Sequence, residues 1–206
     1  MAKEYLDIYD ENRNHIGKEC RKVVHEKGLW HKTVHCWLYD KHGNVYFQLR
    51  EDVNGKANKM YTTASGHVSA GETLQDAFKR EVREEIGIDV DISNAQLVEI
   101  VVWKMDRIII DRVFAHIYVN EIESESQQFD FLDGESNGII KVNAKSALDL
   151  LRKEKGSIPA EKIDTSNKRE KVKISMDDFL IYPHEIGIVK FGRVLSFIAG
   201  MFAHRA

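Results

Sequence analysis

The sequence predicts a mixed α/β domain in which strands bracket one central helix. Residues 74–86 carry apolar side chains at helical spacing, between a candidate N-cap, Thr73, and a glycine stop, Gly87. Runs rich in β-branched and aromatic residues flank that helix on both sides: 33–39 and 45–50 before it, 95–103 and 108–119 after it. Further on, residues 144–155 place Ala147, Leu148, Leu150 and Leu151 on one helical face. Strands around a first helix and followed by a second make a layered α/β core.

The 206 residues suffice for one domain with a real core and an appendage. Charged residues make up 31% and hydrophobic ones 43%, which places the chain among soluble globular proteins and away from disordered ones. A net charge of −3 leaves no electrostatic footprint for a nucleic acid polymer. Two cysteines, Cys20 and Cys36, are too few for a disulfide framework and indicate a reducing, cytoplasmic setting. The first residues, MAKEYLDIYDENR, are too polar and acidic for a secretory signal. With only Pro159 and Pro183, no proline-rich linker divides the chain.

In order, Tyr5–Tyr9 alternates like a short strand, residues 10–14 turn, and Ile16–Lys18 resumes an extended path. Residues 18–27 fit either a short helix or an irregular crossing. From Thr33 the chain reads as a central strand, and residues 41–44 turn it into a returning strand that ends at Arg50. Residues 51–59 form a polar loop, and 60–65 lead to the central helix. Beyond the paired strands of 95–103 and 108–119, the acidic stretch 120–138 is a loop and Gly138–Val142 a short strand. Residues 156–173 are polar enough to be a connector. Ser175 caps a helical start, and residues 189–204 form an amphipathic helix too short and too interrupted, by Lys190 and Arg193, to span a membrane. That helix is expected to pack on the domain or across a homodimer. The expected division is a domain over 1–160, including an N-terminal strand extension, and a C-terminal extension over 161–206.

The stretch Gly66–Ile88, GHVSAGETLQDAFKREVREEIGI, carries the chemistry. Leu74, Ala77 and Phe78 define the inward stripe of its helix, and the stripe continues into Glu81 and Glu85, with Glu84 one step aside. The plain alternative, a solvated charged face, would put these acids opposite Phe78, and the spacing does not. Carboxylates this close repel unless a cation or a basic partner joins them. Oxygen-only ligands favour a hard ion, Mg²⁺ or Mn²⁺.

Gly66, Glu72, Arg80, Glu81, Val82, Glu84, Glu85, Gly87 and Ile88 fill every fixed position of the Nudix hydrolase motif, and on these residues the chain resembles that family. The resemblance implies a Nudix-like α/β/α sandwich with a mixed sheet and hydrolysis of a nucleoside diphosphate linked to another group. It also implies that Glu81, Glu84 and Glu85, with the backbone carbonyl of Gly66, hold Mg²⁺ or Mn²⁺ as the catalytic centre. By charge pairing, Arg80 belongs with Glu72, tying the loop to the helix, and Gly87 is a helix stop. The catalytic base varies in the family; Glu135, in a polar loop, is a candidate. Arg50, at a strand end, is a candidate phosphate contact.

A second resemblance, to type I isopentenyl-diphosphate isomerase, rests on His25, residues 28–35, Gln48-Leu49-Arg50 and Gly66-His67. It implies a second metal site at His25, His31 and His67. The isomerase's catalytic cysteine is absent from Thr62–His67, and its later acid pair is missing where this chain reads Arg107-Ile108-Ile109-Ile110-Asp111. Without the thiol the isomerase loses a proton-transfer group, so hydrolysis leads. Isomerisation and non-catalytic binding of a phosphorylated ligand are the alternatives. The expected partner is a small-molecule diphosphate, with no nucleic acid polymer and no membrane. Trp30, Trp37, Tyr61, Trp103 and Phe131 are large enough to stack a base, although such residues more often fill cores.

Overall fold

The computed structural model describes residues 3–50, 58–106, 110–123, 128–131, 134, 136–180 and 184–203. Among them a mixed sheet is flanked by helices on both faces, an α/β/α sandwich. The N-terminal hairpin is β1 (Tyr5–Tyr9) and β2 (His15–Cys20), followed by a short helix, α1 (Arg21–Lys27). Residues 18–27 are thus a strand end and a helix, closed by Gly28 at φ 58°. A side chain at Gly28 would meet Ile110 at 2.1 Å, so glycine is required there twice over.

The central strand β3 (Trp30–Asp40) starts three residues before Thr33. It runs parallel to β8 (Ile110–Ile122) along its whole length, and β8 pairs antiparallel with β7 (Gln96–Asp106). β3 bonds β4 (Asn44–Arg50) only at Leu38 and Tyr39. Towards its start it bonds β6 (Ala64–His67) instead, while β4 takes β5 (Lys59–Tyr61). The two central strands therefore diverge, and a wedge opens between them. β9 (Ser136–Asn143) joins β4 two residues earlier than the sequence suggests, and Asn143 caps α3 (Ala144–Leu151).

The expected connector over 156–173 is a β-hairpin. β10 (Ile158–Ile163) and β11 (Arg169–Ile174) pair with each other, and β10 pairs with β9. The boundary expected at residue 160 falls inside β10. Charge masked the pattern: Ile158, Ile163 and Ile174 are buried while Arg169 and Glu161 pair outward at 3.1 Å. The 3-10 turn Met176–Asp178 follows, with the Asp178 carboxylate accepting from the Ser175 N–H at 2.6 Å.

Two apolar clusters cover the sheet. On one face α2 (Leu74–Ile86) buries Ala77, Phe78, Val82 and Ile86 against Val34, Cys36 and Leu38. On the other, α3 and α4 (His184–Phe202) bury Leu148, Leu150, Phe191, Val194, Leu195 and Ile198 against Trp37 and Phe47. Phe191 lies 4.9 Å from Trp37 between ring centroids and stacks on Phe47 at 6.0 Å. Among the described residues no helix is long and apolar enough to cross a membrane. Trp37 is core, and Trp30 stacks on Phe114 at 4.7 Å. Trp103 and Phe131 are half-buried against the two clusters, so of the aromatic residues weighed as base platforms Tyr61 alone lines the cleft described below.

Candidate active site

The helix that carries the acids is locally well specified. Thr73 Oγ1 accepts from the Asp76 N–H at 3.1 Å, and the chain leaves the helix at Gly87 in a left-handed turn. Its apolar stripe then continues into charge. Glu81 and Glu85 are buried, while the Glu84 side chain stays 55% exposed.

Arg80 is the cation that joins these acids in the protein alone. Its Nε and a terminal nitrogen donate to the two oxygens of Glu72 at 2.8 and 2.9 Å. The other terminal nitrogen donates to Glu81 at 2.6 Å and Glu84 at 3.1 Å. A further bond reaches the His67 carbonyl at 2.9 Å. Arg80 thus ties the loop to the helix, as charge pairing suggests, and also neutralises part of the acid cluster. Burial pushes the Glu81 carboxyl up, against the pull of Arg80. Burial also pushes on Glu72, but the bonds from Arg80 and the Ser69 N–H hold it below the usual range.

Gly66 faces Glu81 across a gap that no other residue would leave. A Cβ there would sit 2.0 Å from Glu81 Oε1. Glu85 Oε2 accepts from the adjacent Ser65 N–H at 3.3 Å. The oxygen-rich donor set of Glu81, Glu84 and Glu85, gathered beside bare backbone at Gly66, suits a hard divalent ion. Glu135 lies outside the described residues.

His25 from α1, His31 from β3 and His67 from β6 converge with their ligand atoms within 4.8 Å of one another. His25 Nε2 and His67 Nε2 are 3.2 Å apart. The strand read as lacking the isomerase acids supplies one: Asp111 Oδ1 lies 3.6 Å from His25 and 3.7 Å from His31 Nε2. His31 Nδ1 faces the Leu29 carbonyl at 3.0 Å and must carry the proton to bond it. His31 Nε2 therefore points a lone pair at a carboxylate oxygen, and both atoms are buried without a hydrogen bond. Two acceptors in that arrangement are satisfied by a cation or a hydrogen-bond donor between them. Burial, then His31, pushes His67 down to about 3, and burial lowers His31 too, which keeps both rings neutral as ligands must be.

Glu81, Glu84 and Glu85 line one cleft of about 1060 Å³ together with His25, His67 and Asp111, while His31 is buried beneath it. Arg50 and Tyr61 line it as well, with the Arg50 guanidinium 5.9 Å from the Tyr61 ring centroid. Three contributors escaped the sequence reading. Asp111 sits in an otherwise apolar run, His35 among aromatic residues, and Lys190 was an interruption of a helix stripe. The first two line the cleft, and Lys190 lies behind His35. Alternation along β3 could have placed His35 on the face of His31, two strand repeats away.

The family profile described as the NUDIX domain matches residues 29–164. A Clostridium acetobutylicum protein named as an uncharacterised Nudix hydrolase is 34% identical over 201 residues, covering 92% of this chain and 95% of that one. The isopentenyl-diphosphate Delta-isomerase 2 of Photorhabdus laumondii is 31% identical over 87 residues, which are 42% of this chain and 49% of the isomerase. In fold, the chain is similar to the Deinococcus radiodurans protein DR0079, with a TM-score of 0.54 and 19% identity over 73% of this chain and 90% of that one.

Proposed function

The chain belongs to the Nudix hydrolase family, and we propose that it is a metal-dependent pyrophosphohydrolase cleaving a diphosphate bond in a nucleoside diphosphate linked to another group. The observation that carries this reading is that Glu81, Glu84, Glu85 and Gly66 line one cleft, with Glu81 against Gly66 and Glu85 on the adjacent Ser65 N–H. Mg²⁺ or Mn²⁺ bound there would neutralise a diphosphate and activate water. The chain's own residues prepare that chemistry. Glu72 holds Arg80, Arg80 holds Glu81 and Glu84 in place, and Arg50, which lines the same cleft, offers the substrate a phosphate contact. The acids alone would repel a diphosphate, so activity is expected to vanish with EDTA and return with Mg²⁺.

The decisive variants are Glu84→Gln and Glu85→Gln. Each is expected to abolish Mg²⁺-dependent release of phosphate-containing products from a panel of nucleotide sugars, dinucleoside polyphosphates and coenzyme pyrophosphates. Wild-type turnover in both would sink the reading.

The His25, His31, His67 and Asp111 cluster favours a second reading, an isopentenyl-diphosphate isomerase. The thiol that such chemistry needs is missing from the cleft. Cys36 is buried with Sγ 3.9 Å from the Phe78 carbonyl, burial pushes it well above the usual thiol range, and Cys20 does not line the cleft. Incubating isopentenyl diphosphate with the protein and divalent metal is expected to give no double-bond isomer. The histidine cluster would then be a second metal site beside the hydrolytic one, its imidazoles suited to Zn²⁺ and its Asp111 carboxylate to Mn²⁺. Two free cysteines fit a reducing, cytoplasmic setting.

A further inference from the structure

Lys190 is 7% exposed, on a helix that lies outside the segment matching the Nudix profile. Its Nζ is 2.7 Å from His35 Nδ1 and 5.6 Å from the Tyr61 ring centroid. Among the described residues no carboxylate lies within ion-pair distance of it. Glu99 on β7 is the acid whose field reaches it, and Arg193 already bonds Glu99 at 2.6 Å. A lysine buried in this way costs stability that a methionine of similar length would not.

The contact fixes the chemistry of the pair. An ammonium can only donate, so His35 Nδ1 accepts, and His35 carries its own proton on Nε2. Nε2 donates no hydrogen bond among the described residues, and His35 lines the cleft. The ring therefore presents an N–H to the cleft with a positive charge directly behind it. His35 pairs across the strands with Ser65, whose N–H holds Glu85, so this donor lies beside the acid cluster.

We propose that His35 and Lys190 form an anion subsite in which His35 Nε2–H donates to a phosphate oxygen of the substrate and Lys190 supplies the charge through the ring. Lys190 is then a positioning residue, and α4 helps to build the cleft. This subsite deepens the hydrolase reading and rests on it only for the identity of the anion.

Among the described residues the groups near Lys190 are His35 on β3, Tyr61 on β5 and Glu99 on β7, with Arg193 bonded to Glu99 and Arg50 5.9 Å from the Tyr61 ring centroid. The acid of α3, Asp149, is engaged by Lys145 and Lys155. Burial brings Lys190 down to about 7, and burial and then Lys190 push His35 far below its ordinary value. The pair is thus only partly charged at neutral pH, and a bound phosphate would draw in a proton.

Calorimetric titration of the full chain with methylenediphosphonate and Mg²⁺, in buffers of different ionisation enthalpy, tests this without requiring turnover. At pH 7.5 the wild type is expected to take up more protons on binding than Lys190→Met. The variant is expected to bind roughly tenfold to a hundredfold more weakly, as for loss of a charge-assisted hydrogen bond. Lys190→Arg, which stays charged, is expected to bind without the extra uptake, and His35→Phe to weaken binding as Lys190→Met does. Equal affinity and equal proton uptake in wild type and Lys190→Met overturns the subsite, as does a wild type that does not bind. Failure of the hydrolase reading would show separately, as undiminished turnover in Glu84→Gln and Glu85→Gln.

Discussion

At the scale of single residues, two buried groups define what the cleft tolerates. His31 Nε2 and Asp111 Oδ1 face each other at 3.7 Å as unpaired acceptors. A divalent ion there would satisfy both and stabilise the fold by mass action. Zn²⁺ or Mn²⁺ is expected to raise the melting temperature of the wild type, with that rise lost in His67→Ala and metal affinity reduced about tenfold or more in Asp111→Asn. Lys190 is the opposite case, a charge that weakens the fold. Its folded value of about 7 lies below the ordinary 10.5, so between those values the unfolded chain binds more protons and stability rises with pH. Lys190→Met is expected to be more stable than wild type near neutral pH, the margin shrinking by about 1.4 kcal/mol per pH unit towards 10.5. Chemical denaturation of both proteins at pH 7.5 and 10 measures it. The acids of α2 were legible because helical spacing is local. Lys190 and His35 are 155 residues apart, and no periodicity connects them.

At the scale of elements, glycines decide where the helix carrying the acids begins and ends its contacts. Gly87 is at φ 70°, and a Cβ there would meet the Asp130 carbonyl at 2.2 Å. Its neighbour Ile86 accepts the Asp130 N–H at 3.0 Å, which holds that segment against the helix end. Gly87→Ala is expected to cost about 1–3 kcal/mol through its left-handed backbone and this contact, read as a lowered denaturation midpoint. Gly66→Ala is expected to act on chemistry instead, displacing Glu81 from its place 2.0 Å from the new methyl and reducing turnover more than stability. The helix and its stops were readable in sequence because Thr73, Gly87 and the apolar stripe are neighbours. The β10–β11 hairpin was hidden because its buried residues, Ile158 and Ile174 towards one cluster and Ile163 towards the other, are interleaved with charged ones. Its turn is stabilised by Asp164 Oδ1, which accepts from the Ser166 and Lys168 N–H groups at 2.9 and 3.0 Å. That is Asx-turn chemistry, and it resembles any polar loop until the strands are seen.

At the scale of the molecule, the profile-matched segment 29–164 does not close its own core. Phe191, Val194, Leu195 and Ile198 of α4 fill the cluster that also holds Trp37, Phe47, Val142 and Leu150. Removing α4 would expose the inner face of β3 and β4 to water and uncover Lys190's partner His35. Burial of four large apolar side chains stabilises by roughly 1.5–3 kcal/mol each, which together is comparable to the whole net stability of a typical domain. A chain truncated before His184 is therefore expected to be insoluble or to bind a hydrophobic dye and yield to protease across the sheet. A truncated chain with a cooperative thermal transition and wild-type protease resistance would show that α4 is dispensable. Its apolar stripe was read in sequence as packing either on the domain or across a dimer. Trp37 and Phe47 settle which surface the buried residues meet, because both lie in the same sheet. The helix that seals one face of the sandwich also places Lys190 behind His35, so the proposed anion subsite would share one element with the core. Phe191→Ala, one residue away from Lys190, is accordingly expected to lower both the melting temperature and the affinity for methylenediphosphonate, whereas Val142→Ala, in the same cluster but on β9, is expected to lower only the first.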